Sequence, residues 1–214
     1  KGKILPVERF VKSFEEQSLR LADSVFGQTV SGKWVYQSEV IDYVEEDLFM
    51  APDLSTIRKI PWNKEPTAQI ICDLNYPSGE PSKLAPRQVL KNIIKKLSDE
   101  ELQAVVAPEL EFYLCEQNLD PDLPLKTPIG KSGRRETGSR VFGIDAVNEF
   151  DKLTDDIYDY CELMNIGVDT LVHESGPSQI EINLNHGDPL ALADQAFMFK
   201  RAVRQVALKH NIHA

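Results

Sequence analysis

The chain has 214 residues, enough for one large or two small domains, and its 42% hydrophobic content can bury a core. Acidic residues outnumber basic ones by 34 to 24, a net charge of −10 that argues against a nucleic-acid partner and suits cations. No apolar run approaches the roughly 18 residues of a membrane span, and the opening KGKILPVERF holds no signal-peptide core.

The three scattered cysteines, Cys72, Cys115 and Cys161, form no CxxC pair. They read as small core residues in a reduced, cytoplasmic setting. Residues 6–22 carry Phe, Val and Leu at helical spacing and are read as one or two short helices. From Ser24 to Asp73, β-rich runs (KWVYQ, LFMAP, AQIICDL) alternate with Gly, Pro, Asp and Asn, the texture of a small sheet. The stretch YPSGEPSKLAP, residues 76–86, reads as a linker. Pro86 then opens a helix with Val89, Leu90, Ile93, Ile94 and Leu97 on one face.

In VVAPELEFYL, residues 105–114, strand alternation puts Leu110, Phe112 and Leu114 on one face and Glu109, Glu111 and Tyr113 on the other. Residues 117–140 are polar and rich in Pro and Gly, and read as a long exposed loop. A helix over 150–166 follows, with Leu153, Ile157, Cys161 and Met164 at helical spacing and Gly167 to end it. DTLVHESG and SQIEINLN are expected strands. The last helix has Asp188 as its cap, Pro189 in its first turn, and a stripe of Ala196, Phe199, Val203 and Val206. Its later turns carry Lys200, Arg201, Arg204 and Lys209, which suit the helix dipole.

The second strand repeats the pattern of the first. Ile180, Ile182 and Leu184 share one face; Gln179, Glu181, Asn183 and Asn185 share the other. His173 and Glu174 end the strand before it. Glu109, Glu111, Glu174 and Glu181 can therefore converge on one polar face, where four carboxylates repel unless cations neutralise them. Hard oxygen donors without cysteine suit Mg²⁺ or Mn²⁺. On pattern alone a solvated sheet face ranks ahead of a metal site.

Two motifs are set aside. PIGKSG lacks the glycine that a Walker A loop needs at position 125, where Leu125 sits. His210 and His213 straddle a helix end, where basic residues are expected.

At these strands the sequence resembles the glutamine synthetase family. PELEF resembles its E-x-E-F metal strand, and HESGPSQIEINL its H-E segment followed by Q-x-E. DLFMAPDLST and ICDL resemble its small N-terminal domain, and APRQVLKNIIKKL the helix opening its catalytic domain. The resemblance runs from about Ser24 to the end and covers roughly half of a family member. It implies an α+β fold: a small β-grasp-like domain over residues 1–82, then over 83–214 the first half of the catalytic α/β domain.

The resemblance further implies two divalent-metal sites. Glu111, Glu174 and Glu181 would hold the metal serving glutamate and its phosphorylated form, and Glu109 would help hold the metal carrying the nucleotide phosphates. The implied chemistry is ligation, with ATP, glutamate and a small amine or ammonia as substrates, in a dodecameric homo-oligomer without nucleic acid or membrane. The 214 residues alone are expected to be inactive.

One departure concerns the acceptor. Where the family carries an aspartate that helps bind ammonium, this chain reads FGQTVSG, with no acid between Ser24 and Trp34. Phe26, Gln28 and Thr29 then become a possible amine-site loop, and a γ-glutamylpolyamine synthetase is expected, with putrescine as an example acceptor. The alternatives are an ammonia-using glutamine synthetase and, from another class, a non-catalytic scaffold or sensor.

Overall fold

The computed structural model describes residues 1–35 and 46–214. Contacts divide them into two units, residues 1–57 with 70–103 and residues 58–69 with 104–214. The class is the expected mixture of helices and small sheets.

The first unit opens with helix α1, Val7–Glu15, whose Phe10 and Phe14 rings stack. No second helix follows. Gln17 takes a left-handed φ of 50°, which ends helical continuation, and Arg20–Ala22 form strand β1 instead. β1 pairs antiparallel with β2, Asp47–Lys59, and the Arg20 guanidinium lies over the Phe49 ring at 3.2 Å. β3, Ala68–Asn75, completes the sheet in the order β1-β2-β3. Of KWVYQ, residues 36 and 37 lie outside the described residues.

Segment 76–86, read as a linker, is an ordered turn. Tyr76 N–H donates to the Glu80 carbonyl at 2.8 Å and Ser82 N–H to the Leu74 carbonyl at 2.8 Å. This closed turn leads straight into α2, Pro86–Asp99, and its flanks belong to the same unit. Arg87 of α2 reaches Asp53 (2.6 Å) and Asp73 (2.7 Å), and Lys91 also meets Asp73 (2.5 Å). These ion pairs tie the helix to the sheet, and Leu90, Ile94 and Leu97 of its expected apolar face are half-buried. Val89 and Ile93 of the expected apolar face are each 48% exposed.

The second unit holds the larger core. β4 (Glu109–Tyr113), β7 (Gln179–Leu184) and β6 (Val168–His173) form an antiparallel sheet in that order. A short ladder joins β5, Cys115–Glu116, to β8, Ile212–His213. Helices α4, Asp151–Leu163, and α5, Pro189–Lys209, pack on each other, preceded by the single-turn α3, Ile144–Asn148.

The buried rows are the expected ones: Leu153, Ile157, Cys161 and Met164 near α4, Phe199, Val203 and Val206 on α5, and Ile180, Ile182 and Leu184 on β7. Each large apolar side chain so buried contributes about 1.5–3 kcal/mol. Asp188 caps α5 by accepting the Ala191 N–H at 2.9 Å.

α4 stops at Asn165, whose φ of 53° supplies the left-handed turn, and not at Gly167. Gly167 has a different role: a Cβ there would lie 2.7 Å from Nδ2 of Asn185. The hairpin tip, residues 58–69, joins this unit through Trp62, whose ring meets Tyr160 at 6.1 Å and the Arg201 guanidinium at 5.7 Å.

Candidate active site

Strand register brings the predicted acids together. Glu111 pairs directly with Glu181, Glu109 with Asn183, and Tyr113 with Gln179 across the β4–β7 ladder. On the other side of β7, Val172 pairs with Glu181, and Glu174 N–H donates to the Gln179 carbonyl at 2.9 Å just past the end of β6. Since residues paired across a ladder share a face, Glu109, Glu111, Glu174 and Glu181 all lie on the face opposite the Ile180–Ile182–Leu184 row. Glu109 and Glu111 are exposed; Glu174 and Glu181 are half-buried.

Two amides complete this face. Gln179, itself buried, donates from Nε2 to Oε2 of Glu111 at 2.7 Å and accepts the Gly176 N–H on its Oε1 at 2.8 Å. It thereby orients one carboxylate and the β6–β7 turn at once. Asn183 donates to the Thr170 hydroxyl at 3.1 Å, while its carbonyl oxygen is buried without a hydrogen-bond partner.

Among the described residues no three His, Cys, Asp or Glu side chains are already grouped to hold an ion. The register nevertheless fits a hard cation. Like charges directly opposite on a ladder repel, so flexible glutamates splay apart unless a cation compensates them. The unpartnered Asn183 oxygen is a further hard donor on the same face.

The turn joining β6 to β7 is tightly specified. A Cβ on Gly176 would stand 2.5 Å from the Tyr113 hydroxyl oxygen, so any larger residue there must displace that ring or the Gln179 amide. Ser178 takes a φ of 57°, in the left-handed region.

Glu136 carries no sequence signal, and the expectation that segment 117–140 is simply exposed fails there. Its side chain is only 8% exposed. Oε2 lies 2.9 Å from His173 Nε2 and accepts the Ser178 N–H at 2.5 Å. The other ring nitrogen, Nδ1, donates to the Glu174 carbonyl at 2.7 Å, so one proton must lie in the Nε2–Oε2 contact.

The amine-loop residues belong to the first unit. Phe26 lies in a 3-10 turn, Asp23–Gly27, and is half-buried, as is Gln28, which bridges to Trp34. Thr29 is exposed, and its hydroxyl accepts the Lys33 N–H at 3.1 Å in a small turn that needs Gly32 at φ 80°. The glutamates all belong to the second unit.

The histidines set aside earlier have structural partners. His210 Nε2 lies 2.6 Å from Asp156, and His213 pairs with Cys115 in the β5–β8 ladder. Among the described residues, no helix is long and apolar enough to cross a membrane.

An antiparallel sheet with an acid-lined face, buried on the other side and joined to a small three-stranded unit, defines an α+β protein with a candidate cation site. Residues 83–214 match the glutamine synthetase catalytic domain, and the chain belongs to that family. The chain is 33% identical to gamma-glutamylputrescine synthetase PuuA of Escherichia coli, over all of its own length and 46% of that protein. It is 28% identical to a glutamate–isopropylamine ligase of a Pseudomonas species, again over all of its length and 46% of the relative. The chain therefore spans about half the length of these relatives. In fold it superposes on the crystal structure of a novel glutamine synthase homolog with a TM-score of 0.80 at 18% identity, covering all of this chain and 46% of that one.

Proposed function

We propose that the intact protein is an ATP-dependent ligase joining the γ-carboxylate of glutamate to an amine through γ-glutamyl phosphate, with a polyamine such as putrescine as acceptor. The observation that carries this reading is the Glu111–Glu181 rung. Two carboxylates face each other there, with Glu109, Glu174 and the Asn183 oxygen on the same face. The names of the two relatives, both ligases of glutamate and an organic amine, support the acceptor class.

In the proposed reaction a γ-carboxylate oxygen attacks the terminal phosphorus of ATP and ADP leaves. The amine nitrogen then attacks the acyl carbon and loses a proton, and phosphate leaves with the electrons of the C–O bond. Glu111, Glu174 and Glu181 would hold the divalent cation facing glutamate, and Glu109 the one facing the nucleotide phosphates. Mg²⁺ or Mn²⁺ would neutralise charge developing on the transferred phosphoryl group. Gln179 fixes the oxygen of Glu111 that it donates to.

Phe26, Gln28 and Thr29 are proposed as the amine-site loop. An apolar ring in place of an acid favours a methylene chain, at about 0.8 kcal/mol for each buried CH₂. We further propose a small N-terminal domain over residues 1–82 and a catalytic domain from residue 83, a cytoplasmic homo-dodecamer for the full-length chain, and no ligase activity in the 214 residues alone. The family match beginning at residue 83 supports that boundary.

The test is phosphate release by the full-length protein with glutamate and ATP, comparing putrescine and spermidine with ammonium. The amine reading expects the higher kcat/KM with a polyamine. A higher value for ammonium makes the protein an ammonia-using glutamine synthetase. No release with any nitrogen source leaves a scaffold or sensor.

A further inference from the structure

We propose that Glu136 is a positioning residue for the carboxylate face, acting through His173 and the β6–β7 turn; this rests on the cation-site reading above. Glu136 comes from a segment with little regular structure, yet its carboxylate is buried, an arrangement that is costly unless the charge is paired. Its one well-bonded oxygen, Oε2, grips both stems of the turn. It meets the ring of His173, the last residue of β6, and takes the N–H of Ser178, the residue before β7.

Each grip leads to a proposed ligand. The same His173 ring donates to the carbonyl of Glu174, fixing the backbone from which that carboxylate hangs. The Ser178 bond stabilises a left-handed residue directly before Gln179, the amide that orients Glu111. Glu181 follows two residues later on the same strand. The backbone of Glu136 is held from its own segment, because its carbonyl accepts the Thr127 hydroxyl at 3.0 Å. Arg140 Nε stands 4.0 Å from the other oxygen, Oε1, which is buried without a hydrogen-bond partner. Groups that orient metal-binding side chains in this way are worth about ten- to a hundredfold in metal affinity.

The chemistry also grades the substitutions. Both grips go to the one atom Oε2, so Glu136→Gln keeps one of them: an amide oxygen there accepts the Ser178 N–H, whereas an NH₂ there donates to a neutral His173 Nε2. Glu136→Ala loses both, and Glu136→Asp is one methylene too short to hold the two together.

The experiment measures Mn²⁺ affinity of the full-length protein by electron paramagnetic resonance of free Mn²⁺, alongside amide hydrogen exchange at Glu174 and Ser178. Glu136→Ala and Glu136→Asp should each weaken Mn²⁺ binding about ten- to a hundredfold and speed exchange at both amides. Glu136→Gln, which keeps one grip, should bind Mn²⁺ more weakly than wild type and more tightly than Glu136→Ala. Should the alanine variant fail to fold, the Asp and Gln pair decides. Unchanged Mn²⁺ affinity in Glu136→Asp with accelerated exchange would make Glu136 a merely structural tether and overturn the proposal. Glu181→Gln, run in the same assay, separates the two readings. If it too leaves Mn²⁺ binding unchanged, the cation site itself falls, and the positioning role with it.

Discussion

Glu111 of β4 and Glu181 of β7 are direct partners on one rung of an antiparallel ladder, so two like charges occupy neighbouring positions on a single sheet face. Sheets use the direct pair as their unit of stabilisation, and like charges there are unfavourable. An ordinary wet face could avoid this rung by placing a lysine opposite. This chain instead adds a buried glutamine that donates to Glu111, holding the carboxylate where it is.

Neutralising one member of the rung should therefore act in opposite directions with and without metal. In EDTA, Glu181→Gln is expected to stabilise the fold by about 0.2–1 kcal/mol, through relief of repulsion. Added Mn²⁺ stabilises the wild type by binding the native state, and the variant should gain much less. Thermal melts in EDTA and in millimolar Mn²⁺ measure both effects. Equal gains from Mn²⁺ in the two proteins would remove Glu181 from the ligand set.

Gly176 gives a packing prediction. Gly176→Ala inserts a methyl group against the Tyr113 ring and within 2.8 Å of the Gln179 carbonyl oxygen. Overpacking of this kind costs about 1–3 kcal/mol. Because Tyr113 is half exposed, adding Tyr113→Ala should recover part of the loss, giving a favourable coupling in a double-mutant cycle by urea unfolding. Strictly additive losses would mean that the ring is not what excludes a side chain at Gly176.

Asp53 gives the pH dependence. The Ser55 hydroxyl first, then the Arg87 guanidinium, hold its carboxyl below the ordinary aspartate value. A depressed folded-state value means that the contribution is fully present above the unfolded value, about 3.9, and is lost as pH falls through the still lower folded value. Asp53→Asn should therefore destabilise the first unit at pH 7 and cost progressively less below about pH 4. Urea unfolding of both proteins at pH 7 and pH 3 tests this. A cost as large at pH 3 as at pH 7 would show that the charge is not what Asp53 contributes.

Wherever a residue's role depends on period or local chemistry, the sequence was readable. The alternation of Glu109–Tyr113 and Gln179–Leu184, the buried row from Leu153 to Met164, and the Asp188 cap all follow from side-chain direction over a few residues. Roles set by contact partners were not. The α2 stripe reads as a core face, yet Leu90, Ile94 and Leu97 are only half-buried and Val89 and Ile93 stay half exposed, while Arg87 on the same helix reaches Asp53 and Asp73. Asn165 ends α4 ahead of Gly167 because a side-chain amide tolerates the left-handed turn.

The sequence by itself determined that Glu109, Glu111 and Glu181 would sit on strands among apolar neighbours, with Glu174 at the end of a third strand, since a two-residue period sends every other side chain to the same face. That Glu111 meets Glu181 rather than Asn183 is a matter of register, which no single strand specifies; it depends on both strands burying their apolar rows together. The burial of Glu136 against His173, 37 residues away, was likewise decided only by the tertiary structure. A polar loop carries no periodic signal, and a buried charge becomes tolerable only when the fold delivers its partners.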